Sequence, residues 1–373
     1  MSPDKKSCGC WNGLKALLPV FLAVIFNLFG GGPVRANLVI NPTFDSSITT
    51  DVNAAIIENT ISNVIAVYQA SFSDPVTVAI TFYANENISL GASSTWYQGN
   101  VSYSSIRSNL LAGATTVNDF TALAHLRNTT TNPVNGSTTM ELTLPNGRAL
   151  GFAGNFWNPP SGQPDGDIYL KTSIMNLTRT NIDGSKYDLY AVVAHEIDEV
   201  LGLSSALNGS ANGAPAPAGD VGSLDLFRYE PGGTRSFNTG IFSPAWFSLD
   251  GTNLLVQFNQ TAAGDYQDWY SYYGIPTPRI QNAFVSPGLT PDFTVELIAL
   301  DVIGYHFLVP AIAIANAGTG TETVSWSPDT PGFLLQENTN LLSTNWLNSA
   351  SYTNNPVTMT NSDAIKFFRV FHP

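Results

Sequence analysis

Apolar residues recur along this chain at two spacings, and the change from one to the other marks its elements. Residues 38–44 alternate in the manner of a strand, residues 52–72 carry Ile56, Ile57, Ile61, Val64, Ile65 and Tyr68 at helical spacing, and residues 76–83 alternate again. This opening of strand, helix and strand leads into residues 90–165, rich in Gly, Ser, Thr and Asn. Within them, 140–144 read as a short strand and 120–127 as a helical run holding His125. Strand candidates at 168–173 and 174–177 then precede a strongly apolar helix.

That helix has both a start and a stop. Ser185 followed by Asp188 predicts a capping box, and Gly202 a C-terminal break. At about 100° per residue, Val193, Ile197, Val200 and Leu201 share one arc, while His195 and Glu199 lie about 40° apart on nearly the opposite side. One face is therefore expected to be buried and another to present His195 and Glu199 together.

Past the helix, residues 208–222 are rich in Ala, Pro and Gly and predict an irregular segment. Compact blocks follow: Leu224-Asp-Leu-Phe-Arg-Tyr229, residues 246–258 with an Asp250-Gly251 hairpin turn, and Gly264-Asp-Tyr-Gln-Asp-Trp269. A helix over 294–303, ended by Gly304, would turn Leu297, Leu300 and Ile303 inward. Beyond Phe307 the pattern becomes short β runs at 311–317, 323–326, 333–336, 357–360 and 365–371. The expected class is α+β, with a domain over residues 37–308 built around the apolar helix and a small all-β sandwich over 309–373.

Composition adds a compartment. Residues 1–36 read as an export signal, with Lys5, Lys6 and Lys15 before the apolar stretch 17–29 and Val34-Arg35-Ala36 as a small-residue cleavage site. The stretch is short for a membrane span, which needs about 20 apolar residues. A secreted chain beginning near Asn37, with no stable membrane span after cleavage, is expected. Cys8 and Cys10 fall in this leader, so the exported chain would hold no thiol or disulfide and would rely on core burial. The formal net charge of −13 becomes −16 once Lys5, Lys6, Lys15, Arg35 and Asp4 are removed. Such a balance lacks the clustered Lys and Arg that nucleic acid or anionic membranes reward, and it suits an extracellular setting.

The chemistry lies in His195-Glu196-Ile197-Asp198-Glu199. It is one residue away from HExxH, in which two imidazoles one helical turn apart bind zinc and the intervening glutamate acts as base. Zinc accepts carboxylate oxygen as well as imidazole nitrogen, so Glu199 is a candidate ligand beside His195, in a more negative and less Lewis-acidic site. Glu196 is the candidate general base for water attacking a peptide carbonyl. The plainer reading is a solvated helix face; the apolar helix and exported chain favour the metal site.

The run from Tyr187 to Leu203 resembles the active-site helix of metzincin and matrixin-like metallopeptidases. Together with Asp-Leu-Phe-Arg-Tyr229, Phe-Ser-Leu-Asp-Gly251, Gly-Asp-Tyr-Gln-Asp-Trp269 and Leu-Asp-Val-Ile-Gly-Tyr305, it is similar over residues 38–306 to a group of secreted bacterial proteins classed as metalloproteases with an HExxE motif. The resemblance implies a metzincin-like domain, a zinc cofactor and a secreted peptidase acting on protein or peptide substrates. There are departures: Glu199 replaces the second histidine, Ser205 stands where the third would be, and no methionine between Gly202 and Phe307 can form a Met-turn.

A third ligand must then come from elsewhere. Asp225 is preferred because it follows the motif helix after a flexible segment able to return the chain; a salt bridge to Arg228 or a turn cap is its alternative. Asp265, Asp268 and Trp269 read as cleft lining, as a calcium site, or, the favoured reading, as a turn with a packed tryptophan. The C-terminal region, through residues 331–346 and Phe367-Phe-Arg-Val-Phe371, resembles a small β domain appended to many bacterial secreted proteins, which implies cell-surface or glycan contact. A non-catalytic extracellular binding protein with a metallopeptidase-like fold is the competing function.

Overall fold

β1 (Val39–Phe44), the short α1 (Ser46–Thr49), α2 (Ala54–Ser71) and β2 (Thr77–Ala84) realise the expected opening. The computed structural model describes residues 37–208, 221–271, 278–327, 333–343, 345–350, 354–360 and 365–371. β1 and β2 run parallel, Val39 beside Thr77 and Phe44 beside Phe82, and α2 is the crossover that parallel neighbours require. Its Ile57, Ile61, Val64, Ile65 and Tyr68 are buried, while Ile56 of the predicted stripe faces solvent.

The chain continues through β3 (Gly91–Thr95), β4 (Tyr97–Ser102), α3 (Tyr103–Gly113), α4 (Val117–His125), β5 (Thr139–Thr143), α5 (Leu144–Ala149) and β6 (Gly166–Leu170). β6 pairs parallel with β2 and antiparallel with β3, giving the order β1-β2-β6-β3 with β3 at an edge. Residues 90–165 are thus more helical than their composition suggested. The small polar residues serve as caps: Thr116 and Asp119 form a capping box that starts α4.

β7 (Met175–Asn176) and β8 (Tyr187–Asp188) pair in parallel and lead into the motif helix, α6 (Leu189–Leu201). α6 packs on β3 and β6 and against α2. Gly166 permits the close approach, because a Cβ there would stand 2.7 Å from Val200 Cγ2. The Tyr68 hydroxyl lies 2.8 Å from the Ala194 carbonyl oxygen and 2.8 Å from Asp198 Oδ1, joining α2 to α6. The expected capping box at the start of α6 is not formed, since Ser185 donates to Asp183 and Asp188 pairs with Arg179. Gly202 ends the helix as expected, with φ +125°.

β9 (Arg228–Tyr229), β10 (Trp246–Phe247) and β11 (Val256–Gln257) form an antiparallel meander, turned at Asp250-Gly251. α7 (Glu296–Val302) then buries Leu297 and Leu300, with Ile303 buried just beyond it, before Gly304 breaks the helix.

The C-terminal strands are β12 (Ala311–Gly318), β13 (Thr321–Ser327), β14 (Leu334–Asn338), β15 (Leu347–Asn348), β16 (Val357–Thr360) and β17 (Phe367–Phe371). They form two three-stranded antiparallel sheets, β12-β13-β16 and β15-β14-β17. Val324, Trp326, Leu335 and Val357 make a small core between them, distinct from the main one, and Phe333 stacks on Phe307 of the main core at 5.6 Å. The class is α+β. No helix among the described residues is long and apolar enough to cross a membrane; the export signal expected at 1–36 lies outside those residues.

Candidate metal centre

α6 is buried nearly all round. Glu196 is 5% exposed and Asp198 fully buried, so the motif is not a solvated helix face. His195 Nδ1 lies 3.1 Å from the Ile280 carbonyl oxygen, to which it can only donate, so Nε2 is the nitrogen whose lone pair becomes available when the ring loses a proton. Nε2 stands 3.7 Å from Glu199 Oε1 and 3.7 Å from Asp268 Oδ1. One ligand atom from each of His195, Glu199 and Asp268 lies within 4.8 Å of the others. Two donors each about 2.1 Å from one tetrahedral zinc ion are about 3.4 Å apart, so little contraction would complete the set. Gln281 Nε2 bridges the same two ligands, 3.3 Å from His195 Nε2 and 2.9 Å from Asp268 Oδ1, while its Oε1 is buried with no hydrogen-bond partner. Rotating that amide exchanges a donor for an acceptor, which suits a cation.

Asp268 reaches this point because Trp269 is fixed on every side. The indole packs between Phe247 and Phe258, and its Nε1 donates to Glu296 Oε1 at 2.9 Å. Its backbone N–H donates to the Gln281 carbonyl at 2.7 Å, and the same Glu296 oxygen accepts from Gln281 N at 3.1 Å. The Gly-Asp-Tyr-Gln-Asp-Trp block is therefore both a packed-tryptophan turn and the source of the third candidate ligand.

Asp225, the third ligand expected from the sequence, does other work. It is buried, and its carboxylate accepts from Ser205 Oγ at 2.5 Å, Ala206 N at 2.9 Å and Gly222 N at 2.8 Å. Burial pushes its carboxyl up while these donors oppose the shift. With three donors on its two oxygens, it caps the chain at residues 205–206 and 222, as the turn-cap alternative predicted. His125 Nδ1 approaches its own helix at Thr121 O, and His306 Nδ1 binds Asp74 Oδ1 at 2.6 Å; neither joins the centre. His372 lies outside the described residues.

Polar neighbours without any sequence signature hold the candidate ligands. Ser93 Oγ on β3 donates to Glu199 Oε2 at 2.6 Å, and Gln267 Nε2 donates to Glu199 Oε1 at 2.7 Å. Gln267 is held in turn by Asn208 Nδ2, which donates to its Oε1. Glu196 lies under β3, where a Cβ on Gly91 would come within 2.4 Å of Glu196 Oε1 and 2.5 Å of Val192 Cγ1.

The charges are unbalanced. Burial lowers an imidazole pKa, but Asp268 first, then Glu196 and Glu199, raise that of His195 to about 10. Burial lifts Asp268 to about 8, opposed by His195 and supported by Glu199 and Asp265. Burial, then repulsion from Glu199, lifts Glu196 well above the ordinary carboxylate range. Crowded buried carboxylates of this kind hold protons where a cation would serve as well.

Two cavities meet at Glu199. One of about 350 Å³ lies over His195, Glu196, Glu199 and Asp268 beneath β3; the other, of about 340 Å³, shares Ser93, Glu199 and Asp265 with it. The chain matches no protein-family model, no curated protein and no solved structure. The centre itself is therefore the guide to function, and the metzincin-like expectation rests on the motif blocks.

Proposed function

We propose that the protein is a secreted zinc-dependent peptidase whose metal is held by His195, Glu199 and Asp268. The observation that carries this reading is His195 Nε2, turned toward two carboxylates 3.7 Å away with the Glu196 carboxyl buried alongside. Zinc bound there supplies a Lewis acid and a water of lowered pKa. Glu196 takes the proton of the attacking water and returns it to the leaving amine.

β3 supports a peptide substrate. Among the described residues it pairs with β6 alone, so its other edge offers main-chain groups that an extended peptide can pair with beside Glu196 and Glu199. Residues 1–36 act as the export signal, and the C-terminal strands form an accessory sandwich for cell-surface or glycan contact.

The protein reconstituted with zinc is expected to cleave unstructured peptides. Glu196→Gln should retain the metal and the fold and lose about 10²–10⁴-fold in rate. Unchanged hydrolysis in that variant would overturn the reading.

A further inference from the structure

Gln281 is fully buried beside His195 and Asp268, yet it does not line the cavity that those two residues open onto. Its main chain is pinned at both polar groups: the Trp269 N–H donates to its carbonyl at 2.7 Å, and its own N–H donates to Glu296 Oε1 at 3.1 Å. With the backbone fixed and the side chain buried, the torsion that turns most readily is the last, whose profile is broad and roughly two-fold. Nε2 stands 2.9 Å from Asp268 Oδ1 and 3.3 Å from His195 Nε2. Two donors each about 2.1 Å from one ion lie about 3.0 Å apart at a right angle and about 3.4 Å apart at a tetrahedral one. The end of this amide thus keeps the spacing of a coordinating atom from both residues, on the protein side of the centre. Oε1, the other end of the amide, is buried with no hydrogen-bond partner.

We propose that Gln281 is a fourth protein ligand of this centre, binding the metal through Oε1 once its amide has turned over. The inference rests on the metal centre of the peptidase reading and adds a ligand to it. As the amide stands, Nε2 points at two atoms that a metal ion claims, Asp268 Oδ1 and His195 Nε2. An ion held by both would meet N–H groups at close range, which is repulsive, while an acceptor on the same amide has no partner. Turning the amide exchanges the two atoms and removes the conflict. A carboxamide oxygen is a hard, neutral donor. Neutrality matters here, because Glu196, Glu199 and Asp268 already bring three carboxyl groups to one cavity wall, and a fourth would add to their repulsion. Since Gln281 approaches from the protein side, the face toward the cavity of about 350 Å³ stays open to water and substrate. Four protein donors and one water make the five-coordinate arrangement that catalytic zinc can reach.

The test is a high-resolution crystal structure of the zinc-loaded protein, with the metal located by anomalous scattering at the zinc edge. A Gln281 side-chain atom should lie about 2.0–2.2 Å from zinc, with the other amide atom turned away from Asp268. A separation beyond about 3 Å, with Nε2 still on Asp268 Oδ1, would overturn the inference. In solution, Gln281→Leu should weaken zinc binding at least about tenfold by chelator competition, and unchanged affinity would count against the ligand. A residue that only positions a ligand would show the same loss, so cobalt substitution separates the two roles. The visible absorption bands of the cobalt protein should differ in shape and intensity between wild type and Gln281→Leu at equal loading; identical spectra would overturn the inference. The wild-type crystal structure decides the matter whether or not the variant folds. Zinc seated on His195, Glu199 and Asp268 with Gln281 out of reach would remove the fourth ligand and keep the peptidase; Gln281 bound to zinc in a protein that cleaves no peptide would do the reverse.

Discussion

His195 and His306 both sit beside buried aspartates, yet they are built for opposite purposes. His306 closes on Asp74, with Nδ1 2.6 Å from Oδ1 and its backbone N–H on Oδ2 at 2.9 Å, so charge is neutralised inside the pair. His195 spends Nδ1 on the Ile280 carbonyl and leaves Nε2 3.7 Å from two carboxylates that do not close on it. A direct hydrogen bond makes a clamp, whereas a nitrogen held just out of contact by its other face is placed as a candidate ligand. The difference lies in what Nδ1 engages, a backbone carbonyl at His195 and an aspartate carboxylate at His306.

The sharpest way to break this comparison is metal content. His195→Ala should reduce bound zinc from about one per chain to background by elemental analysis, and His306→Ala should leave it unchanged. Loss of zinc in both variants would make the two histidines alike. Next in size, Gly91→Ala should lower peptide hydrolysis by about 10–100-fold with zinc retained, because a methyl group there displaces the Glu196 carboxyl. The aspartates should separate in the same manner. Asp268→Asn should weaken zinc binding, whereas Asp225→Asn should keep it and lose about 1–3 kcal/mol in urea unfolding through its disrupted buried hydrogen bonds.

The smallest effects are pH dependences of opposite sign. Zinc must displace protons from His195 and Asp268, whose metal-free values are about 10 and about 8, so calorimetric affinity should rise from pH 6 to pH 9 with proton release. The His306 value is raised, first by its hydrogen bond to Asp74. Its stabilisation should thus be full below about pH 6.5, the unfolded value, and fade as pH rises through the folded one. In His306→Gln, this fraction of the pH dependence of the urea midpoint should vanish.

Much of the scaffold was legible because it follows from local periodicity: α2, α6 with its Gly202 stop, α7 and the terminal strands all lie where apolar spacing placed them. The facing of His195 and Glu199 was legible for the same reason, being a property of one helix. Asp268 was not chosen, because what brings it to the centre is the anchoring of Trp269 by Phe247, Phe258 and Glu296, contacts with no local signature. Asp225 misled through proximity along the chain: it does return toward α6, but the Ser205 hydroxyl and two nearby backbone N–H groups donate to its oxygens. Ser93, Gln267 and Gln281 are ordinary polar residues, and only the fold gives them a role.

The Asp225 clasp has a consequence for chain entropy. By gathering Ser205, Ala206 and Gly222 onto one carboxylate, it joins the chain on either side of residues 209–220 at a fixed point. Closing a loop whose ends already meet depends only weakly on its length, about 0.6 kcal/mol per doubling. This position should therefore accept an inserted tag or reporter while α6 keeps its register.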